Sequence, residues 1–330
     1  MARAAGPRFP LRLVLGGLFV LAGILFLLFG WPDAFRSSEI KYENLGDVTP
    51  DEHTANSLGG HYKPERLTRF RISHGEAGAV RLDTVFYRNE ASEQRTAILF
   101  PATEGPGAAE DPLRMEIWRE AAAAIGKNAA DKAVFISWWD NAQRLDFMTG
   151  RAAWVRSPAA SAFPEAGQRD FWEQAGGGFD SDETKLKQLA RWLTTDAEQA
   201  LAEMVKALPQ GRPVYFLMSL DDLARLGEIE ALAGTTLPFE VRIFPQADNI
   251  HTQIAAVRQW AGEKGVGSYL VQQLPKGGTR AWRITTEEGT KSLFARLLPF
   301  TTSLAKPLDS HSLVYQSRWG AYLSVYQWHP

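Results

Sequence analysis

Strand-like and helix-like segments alternate along the second half of this sequence. An apolar run at 134–138 precedes a helical pattern at 141–149, and the same order recurs with a strand at 213–218 and a helix at 221–233. Because helical segments separate the strands, the pattern predicts an α/β fold with a mixed, mostly parallel sheet that is flanked by helices and joined by right-handed crossovers. The last strands are expected to add an antiparallel edge.

The remaining elements are predicted from periodicity and turn residues. The segment 157–182 is rich in Pro and Gly and is interpreted as a loop, and the long helix after it is expected to break near Thr194 and Thr195. Further strands are predicted at 66–73, 80–88, 96–100, 239–244, 268–273, 280–285, 312–317 and 322–328, and further helices at 112–125, 183–208, 248–264 and 291–298.

Two adjacent tryptophans and a polar cluster occupy the carboxyl end of the strand at 134–138. In open α/β sheets, ligands usually bind at this end of the strands. Side chains alternate along a strand, so one tryptophan of the pair is expected to face a pocket. The residues predicted to form this binding corner are Trp138, Trp139, Asp140, Asn141 and Arg144.

A purely structural explanation of the same corner is also open. Asp140 can cap the helix that follows it, and Gln143 occupies the matching third position of a capping box. Ser219 is predicted to cap the helix after the strand at 213–218. Under this interpretation the polar residues of the corner end a strand and begin a helix.

Catalytic and metal-binding patterns are weak in this chain. It has no cysteine, and its six histidines form neither an HExxH motif nor a pair four residues apart. No G-x-S-x-G motif surrounds a serine. We therefore predict no catalytic residue, metal site or cofactor and expect a protein that is not an enzyme, with a hydrolase as a third option. The net charge of −2 gives no reason to expect a nucleic-acid partner.

Residues 13–31 form an uninterrupted apolar run. As a helix, this run spans about 28 Å, close to the thickness of the hydrocarbon core of a bilayer. Arg3, Arg8 and Arg12 precede it, which predicts that the N-terminus stays in the cytoplasm. Arg12 and Trp31 are expected to lie at the two membrane interfaces. A cleaved signal peptide is the main alternative, although its apolar region is usually shorter.

This pattern predicts a single-pass protein of the bacterial inner membrane with its C-terminal domain in the periplasm. The lipid bilayer is then a partner through the anchor. The predicted organisation is a cytoplasmic N-terminus at 1–12, a transmembrane anchor at 13–31, a stalk or extended segment at 32–64, and a periplasmic α/β region at 65–330 whose part up to about residue 100 can be β-rich.

Two segments resemble the HaoB family of membrane-anchored accessory proteins in hydroxylamine oxidation. They are TAILFPATEGPGAAEDPLR at 96–114 and FISWWDNAQRLDFMTGR at 135–151. The N-terminal span and the size of the soluble region agree, so the resemblance covers nearly the whole chain. It implies an association with octahaem hydroxylamine oxidoreductase in ammonia- or methane-oxidising bacteria. The family offers no catalytic residue to carry over.

The corner motif alone is similar to the SWWDYG region of oligosaccharyltransferase catalytic subunits. In that family the tryptophans and the aspartate help to bind the hydroxyl residue of an acceptor peptide. Trp138, Trp139 and Asp140 match, whereas Asn141 and Ala142 replace the tyrosine and the glycine. The many membrane helices that carry catalysis in that family are absent from this sequence. This similarity implies at most a retained binding corner without transferase chemistry.

The expected function is therefore that of a non-catalytic, membrane-anchored periplasmic protein. It would hold or assist a haem-containing oxidoreductase near the membrane. The alternative is a periplasmic domain that binds a peptide or a sugar through the Trp-Trp-Asp corner.

Overall fold

The computed structural model describes only part of the chain. The predicted span at 13–31 lies outside the described residues, as do Arg12 and Trp31. None of the described helices combines the length and the apolar character that a membrane crossing requires. The described residues are 40–50, 58–74, 79–100, 102–104, 112–179, 183–247, 249–274 and 278–330.

The described helices are mostly short and connect or cover three sheets. The break predicted near Thr194 and Thr195 is confirmed, because Thr195 is extended and the carboxylate of Asp196 accepts the backbone N–H groups of Glu198 and Gln199 to start a new helix. The α-helices are α1 Pro112–Asn128, α2 Trp139–Thr149, α3 Ala166–Ala175, α4 Thr184–Thr194, α5 Ala197–Ala207, α6 Leu226–Ala233, α7 Ile250–Glu263, α8 Leu293–Leu297, α9 Thr301–Ala305 and α10 Arg318–Ala321. Short 3₁₀ helices lie at Ala160–Ala162, Leu220–Arg225 and Glu288–Lys291.

An antiparallel sheet forms the first part of the described chain. Its first four strands follow the order β1-β2-β3-β4, and β5 also pairs with β3. Helix α3 covers one face, where Phe171 contacts Tyr42 and Phe70 at ring-centroid distances of 5.0 and 5.5 Å. The strands are β1 Ile40–Val48, β2 Pro64–His74, β3 Ala79–Arg88, β4 Gln94–Ile98 and β5 Ala102–Glu104. Strand β1 thus lies inside the segment 32–64 that was predicted to be a stalk or extended.

The central sheet has the order β11-β12-β7-β6 and lies in the main hydrophobic core. Strands β6 and β7 are parallel, whereas β12 is antiparallel to both β7 and β11. Helix α1 packs on the β11–β12 side, where the hydroxyl of Tyr315 donates to the backbone oxygen of Ile117 at 3.2 Å. The strands are β6 Val134–Ile136, β7 Val214–Ser219, β11 His311–Gln316 and β12 Leu323–Trp328.

A third, antiparallel sheet has the order β8-β10-β9, with β8 Phe239–Phe244, β9 Tyr269–Gln273 and β10 Thr279–Ile284. One face carries α7, where Val257 and Trp260 form a small apolar cluster with residues of β8 and β10. The other face joins the main core. Strands β9 and β10 are consecutive along the chain and pair antiparallel with each other.

The mixed α/β class is confirmed, but the prediction of a mostly parallel sheet was wrong. Among the described strands, β6 and β7 form the one parallel pair. Local periodicity identifies strands without identifying their partners, and here the neighbour of β7 is β12, from the end of the chain. The segment 157–182 was interpreted as a loop, but it contains helix α3.

Candidate functional site

The predicted corner lies where β6 passes into α2. The helix begins at Trp139 after the extended residue Trp138 and ends at Thr149. Gly150 follows it, and its left-handed backbone (φ 68°) lets its N–H reach the oxygen of Asp146 at 2.8 Å. Every residue from Trp139 to Met148 is buried. Helix α2 is therefore enclosed on all sides, between α1, β4 and the central sheet.

The structure brings the five predicted corner residues together and closes them off from solvent. Their carboxylate, amide and guanidinium groups bond to one another and to residues after β7. The exposed fractions are 1% for Trp138, 0% for Trp139, 3% for Asp140, 1% for Asn141 and 2% for Arg144.

Asp140 is the anionic centre of this cluster. Its Oδ2 lies 3.1 Å from Nη2 of Arg144 and 3.3 Å from Nη2 of Arg225. Burial alone would raise the pKa of Asp140, but the charges of Arg225 and Arg144 and the backbone N–H of Asn141 outweigh burial and lower it. Asp140 is thus an ionised carboxylate that holds two guanidinium groups in the interior.

The amide of Asn141 connects α2 to the end of β7. Its Nδ2 donates to Oγ of Ser219 at 3.0 Å and to Oδ1 of Asp222 at 2.8 Å. Ser219 and Asp222 form a capping box, with the Ser219 N–H donating to Asp222 Oδ2 at 2.7 Å. The predicted capping role of Ser219 is confirmed. Burial, followed by the nearby charge of Asp140, raises the pKa of Asp222 well above its usual range.

Trp139 and Glu228 complete the cluster. The indole Nε1 of Trp139 donates to Oε1 of Glu228 at 2.7 Å, and the guanidinium of Arg225 lies over the rings of Trp139 and Trp172 at 5.1 and 4.4 Å. Burial raises the pKa of Glu228 to about 7, against the opposing charge of Arg225. Two guanidinium groups therefore share the interior with three carboxyl groups, two of which have a raised pKa.

The predicted capping box on α2 was wrong. Trp138 occupies the capping position and provides no side-chain bond, while Asp140 lies in the first turn and binds arginines. The amide of Gln143 serves tertiary contacts instead: Nε2 donates to the backbone oxygens of Arg156 and Gly176 at 2.8 and 2.9 Å, and Oε1 accepts from the N–H of Ile98 at 3.3 Å.

Asp222, Arg225 and Glu228 were not predicted from the sequence to belong to this site. They follow β7 at intervals of three residues, which places them on one side of the helical turns after that strand. Charged residues at this spacing, next to the apolar residues of α6, are the sequence pattern that could have identified them. Their partners in α2 are about eighty positions away in sequence, so only the fold joins them.

An open cavity of about 470 Å³ lies on the other side of Gln143. Its wall carries the guanidinium groups of Arg66, Arg95 and Arg156, and that of Arg66 stacks on Phe86 at 3.9 Å. The carboxylate of Asp146 holds Arg156 at 3.1 Å. In the part of the chain that the structure describes, no group of three or more His, Asp or Glu side chains could hold a metal ion.

These observations define a mixed α/β protein with an enclosed, charge-paired corner at the junction of a strand and a helix. The chain belongs to the HaoB family: the family model described as HaoA-associated protein HaoB matches residues 9–328. This match confirms the family resemblance found in the sequence, and it supports an association with hydroxylamine oxidation.

The other comparisons add little. No curated protein matches the chain. Among solved structures, the C-terminal domain of PglB from C. jejuni is similar, with a TM-score of 0.37 and 12% identity over 64% of this chain and 99% of that chain. A TM-score this low carries no argument about function, so the motif similarity to oligosaccharyltransferases still depends on the sequence alone.

Proposed function

We propose that this protein is a non-catalytic accessory protein in hydroxylamine oxidation that holds or assists a haem-containing hydroxylamine oxidoreductase beside the membrane. The observation that carries the proposal is the match of residues 9–328 to a family described as HaoA-associated. In this proposal, residues 13–31 anchor the chain in the bacterial inner membrane, the N-terminus is cytoplasmic, and the region 65–330 lies in the periplasm.

The sequence supports the membrane part of the proposal. The apolar run at 13–31 is long enough to cross a bilayer as a helix, and three arginines precede it. A tethered binding domain raises the effective concentration of its partner at the membrane without contributing a catalytic group.

The geometry of the corner indicates that its residues stabilise the fold rather than take part in a reaction. Asp140 holds Arg144 and Arg225, and Trp139 donates its indole N–H to Glu228. Each of these groups already bonds within the chain, so the corner fixes α2 against the residues after β7.

The alternative, a peptide- or sugar-binding domain that uses the Trp-Trp-Asp corner, fits the structure less well. Trp138 and Trp139 are 1% and 0% exposed, so a ligand would have to displace buried side chains before touching either ring. If a peptide or sugar protects the full chain against unfolding, and Trp139→Phe removes that protection but leaves the fold intact, the alternative replaces our proposal.

A reconstitution experiment tests the proposed function. The full chain is placed in lipid vesicles, and hydroxylamine oxidoreductase is added and sedimented with them. We expect the oxidoreductase to sediment with vesicles that contain the chain and to remain in solution with empty vesicles of the same lipids.

A deletion strain provides the second readout. We expect loss of the chain to slow hydroxylamine-dependent respiration without reducing the activity of the isolated oxidoreductase. The proposal fails if the oxidoreductase does not sediment with the vesicles and the deletion strain oxidises hydroxylamine at the normal rate.

A further inference from the structure

Strand β8 is an outer strand of the third sheet. It pairs with β10 along one edge, and no described strand pairs with its other edge. An outer strand presents unpaired backbone N–H and C=O groups and can therefore accept another strand. The open backbone edge of β8 can therefore pair with a strand of another chain. The side chains of β8 indicate which strand that is.

Two neighbouring apolar side chains of β8 are directed into solvent. Val241 is 58% exposed, and Ile243 is 61% exposed, which is the largest value for a single large apolar residue of the described chain. They are two positions apart, so they lie on the same face of the strand.

The sequence of β8 is complementary to itself in one antiparallel register. When Phe-Glu-Val-Arg-Ile-Phe pairs with a second copy so that Val241 faces Val241, Glu240 of each copy faces Arg242 of the other. Ile243 then faces Phe239. Residues directly opposite in an antiparallel pair have their side chains on the same face, so these are direct contacts.

The neighbouring registers that keep the same faces together are unfavourable. Centring the pair on Glu240 places two carboxylates opposite each other, and centring it on Arg242 places two guanidinium groups opposite each other. Like charges directly opposite destabilise a strand pair, and a slip by one residue exchanges the two faces. Opposite charges therefore favour the register centred on Val241.

Glu240 can accept a further donor in this register. Arg283 of the same chain donates through Nε and Nη2, at 3.0 and 2.5 Å, and both bonds go to Oε2 of Glu240. The Glu240 side chain is still 53% exposed. Arg242 lies on the same face of the strand, with its guanidinium 5.1 Å from the ring centroid of Phe244.

We propose that β8 pairs with β8 of a second copy of this chain around a twofold axis at Val241, which joins the two three-stranded sheets into one of six strands. The surface between two such strands is smaller than a standard protein interface, so the dimer forms reversibly. Attachment of both copies to one membrane, as in the proposed function, would favour it by raising their local concentration. The pairing itself does not depend on that function.

Disulfide cross-linking tests the register directly, because the natural chain contains no cysteine. Opposite Cα atoms in an antiparallel pair are about 4.5–5.5 Å apart, within the range of a disulfide. We expect Val241→Cys in the full chain, in detergent with copper phenanthroline as oxidant, to form a covalent dimer at least tenfold faster than Ile243→Cys. In the proposed register, Ile243 faces Phe239 of the second copy, and the two Ile243 residues lie far apart.

Sedimentation equilibrium of the full chain in detergent tests the charge pairing. Arg242→Glu places a carboxylate opposite Glu240 of the other copy, so we expect its dimer dissociation constant to rise at least tenfold. Arg258→Glu makes the same charge change at an exposed position of α7, outside the proposed contact, and should leave the constant within twofold.

Several outcomes would overturn the proposal. They are a chain that stays monomeric at every concentration, equal cross-linking at positions 241 and 243, and an Arg242→Glu variant that behaves like Arg258→Glu. If the chain is monomeric and Arg242→Glu instead abolishes binding of the oxidoreductase, the edge receives another protein and self-pairing is wrong.

Discussion

The corner between β6 and α2 buries charged groups, whereas strand β8 exposes apolar ones. Asp140 and Arg144 are 3% and 2% exposed, but Val241 and Ile243 are 58% and 61% exposed. The corner attracts attention in the sequence because of its tryptophans and charges, yet its carboxylate, amide and guanidinium groups bond within the chain. Strand β8 is inconspicuous in the sequence, yet it leaves side chains and a backbone edge for a partner. In this protein, the residues that stand out in the sequence are not the residues that are exposed to a partner.

Removing the buried carboxylate of Asp140 should have the largest effect on stability. Asp140→Ala leaves the guanidinium groups of Arg144 and Arg225 in the interior without their shared carboxylate. We expect a loss of about 3–5 kcal/mol in the free energy of unfolding, measured by urea denaturation of the full chain in detergent.

A surface ion pair provides the control. Glu65→Ala removes the partner of Arg88, whose side chain is 55% exposed, and should cost less than about 1 kcal/mol. Equal losses in the two variants would mean that the buried network does not stabilise the corner.

The pH dependence of stability tests the carboxyl group of Glu228. Burial raises its pKa from 4.5 to about 7, so between these values the folded chain holds a proton that the unfolded chain has released. The resulting contribution to stability is complete below pH 4.5 and is lost as the pH rises through 7. It amounts to at most about 3 kcal/mol.

Glu228→Gln removes this titration while keeping an oxygen that can accept from Trp139. We expect the stability of the variant, relative to the natural chain, to increase between pH 5 and pH 8. The measurement is the free energy of unfolding of both proteins at each pH. Parallel pH profiles would show that Glu228 titrates in the folded state as it does in the unfolded chain.

Gly177 tests how tightly the turn after α3 packs against β4. A Cβ atom there would lie 2.1 Å from Oγ1 of Thr96, and the backbone has φ +79°. At Gly211, with φ +74°, a Cβ atom would meet nothing within 4 Å. We expect Gly177→Ala to cost about 2 kcal/mol more than Gly211→Ala, because both variants strain the backbone but only the first also forces atoms together. Equal unfolding free energies would contradict this close contact.

The smallest effect on stability is expected on β8. Val241→Ala should change the free energy of unfolding of the dilute, monomeric chain by less than about 0.5 kcal/mol. Val257→Ala, at a fully buried position of helix α7, which packs on the same sheet, should cost about 2 kcal/mol because it leaves a cavity. A large loss at Val241 in the monomer would mean that this side chain stabilises its own fold rather than a contact with another chain.

Periodicity and turn residues predicted much of the local structure. The bounds predicted for β8 agree with the structure, and the helix break after Thr194 is where Asp196 starts a new helix. Helix α3 was missed because Pro- and Gly-rich residues surround it. Strand β1 was not predicted as a separate strand within the segment 32–64, because alternation there is weak and the strand is held by its pairing with β2.

The binding corner was located correctly in sequence, but its environment was not predicted. Asp140 was expected either to line a pocket or to cap a helix, whereas in the structure it forms ion pairs with both Arg144 and Arg225. Arg225 comes from the turn after β7, and no local pattern links it to α2. The antiparallel edge expected from the last strands is confirmed, but the sequence did not show that β12 pairs with β7, since the two strands are about a hundred residues apart.

The sequence by itself determined the mixed α/β class, most element positions and, through the segments at 96–114 and 135–151 together with the apolar span, the resemblance to the HaoB family. These properties depend on residues close together in the chain, where periodicity and spacing are informative. Only the tertiary structure decided which strands pair, that the charges of the corner lie inside, and that Val241 and Ile243 lie outside. Burial depends on contacts between distant segments, so a charged residue can be enclosed by its partners while an apolar residue at a sheet edge remains exposed to a second molecule.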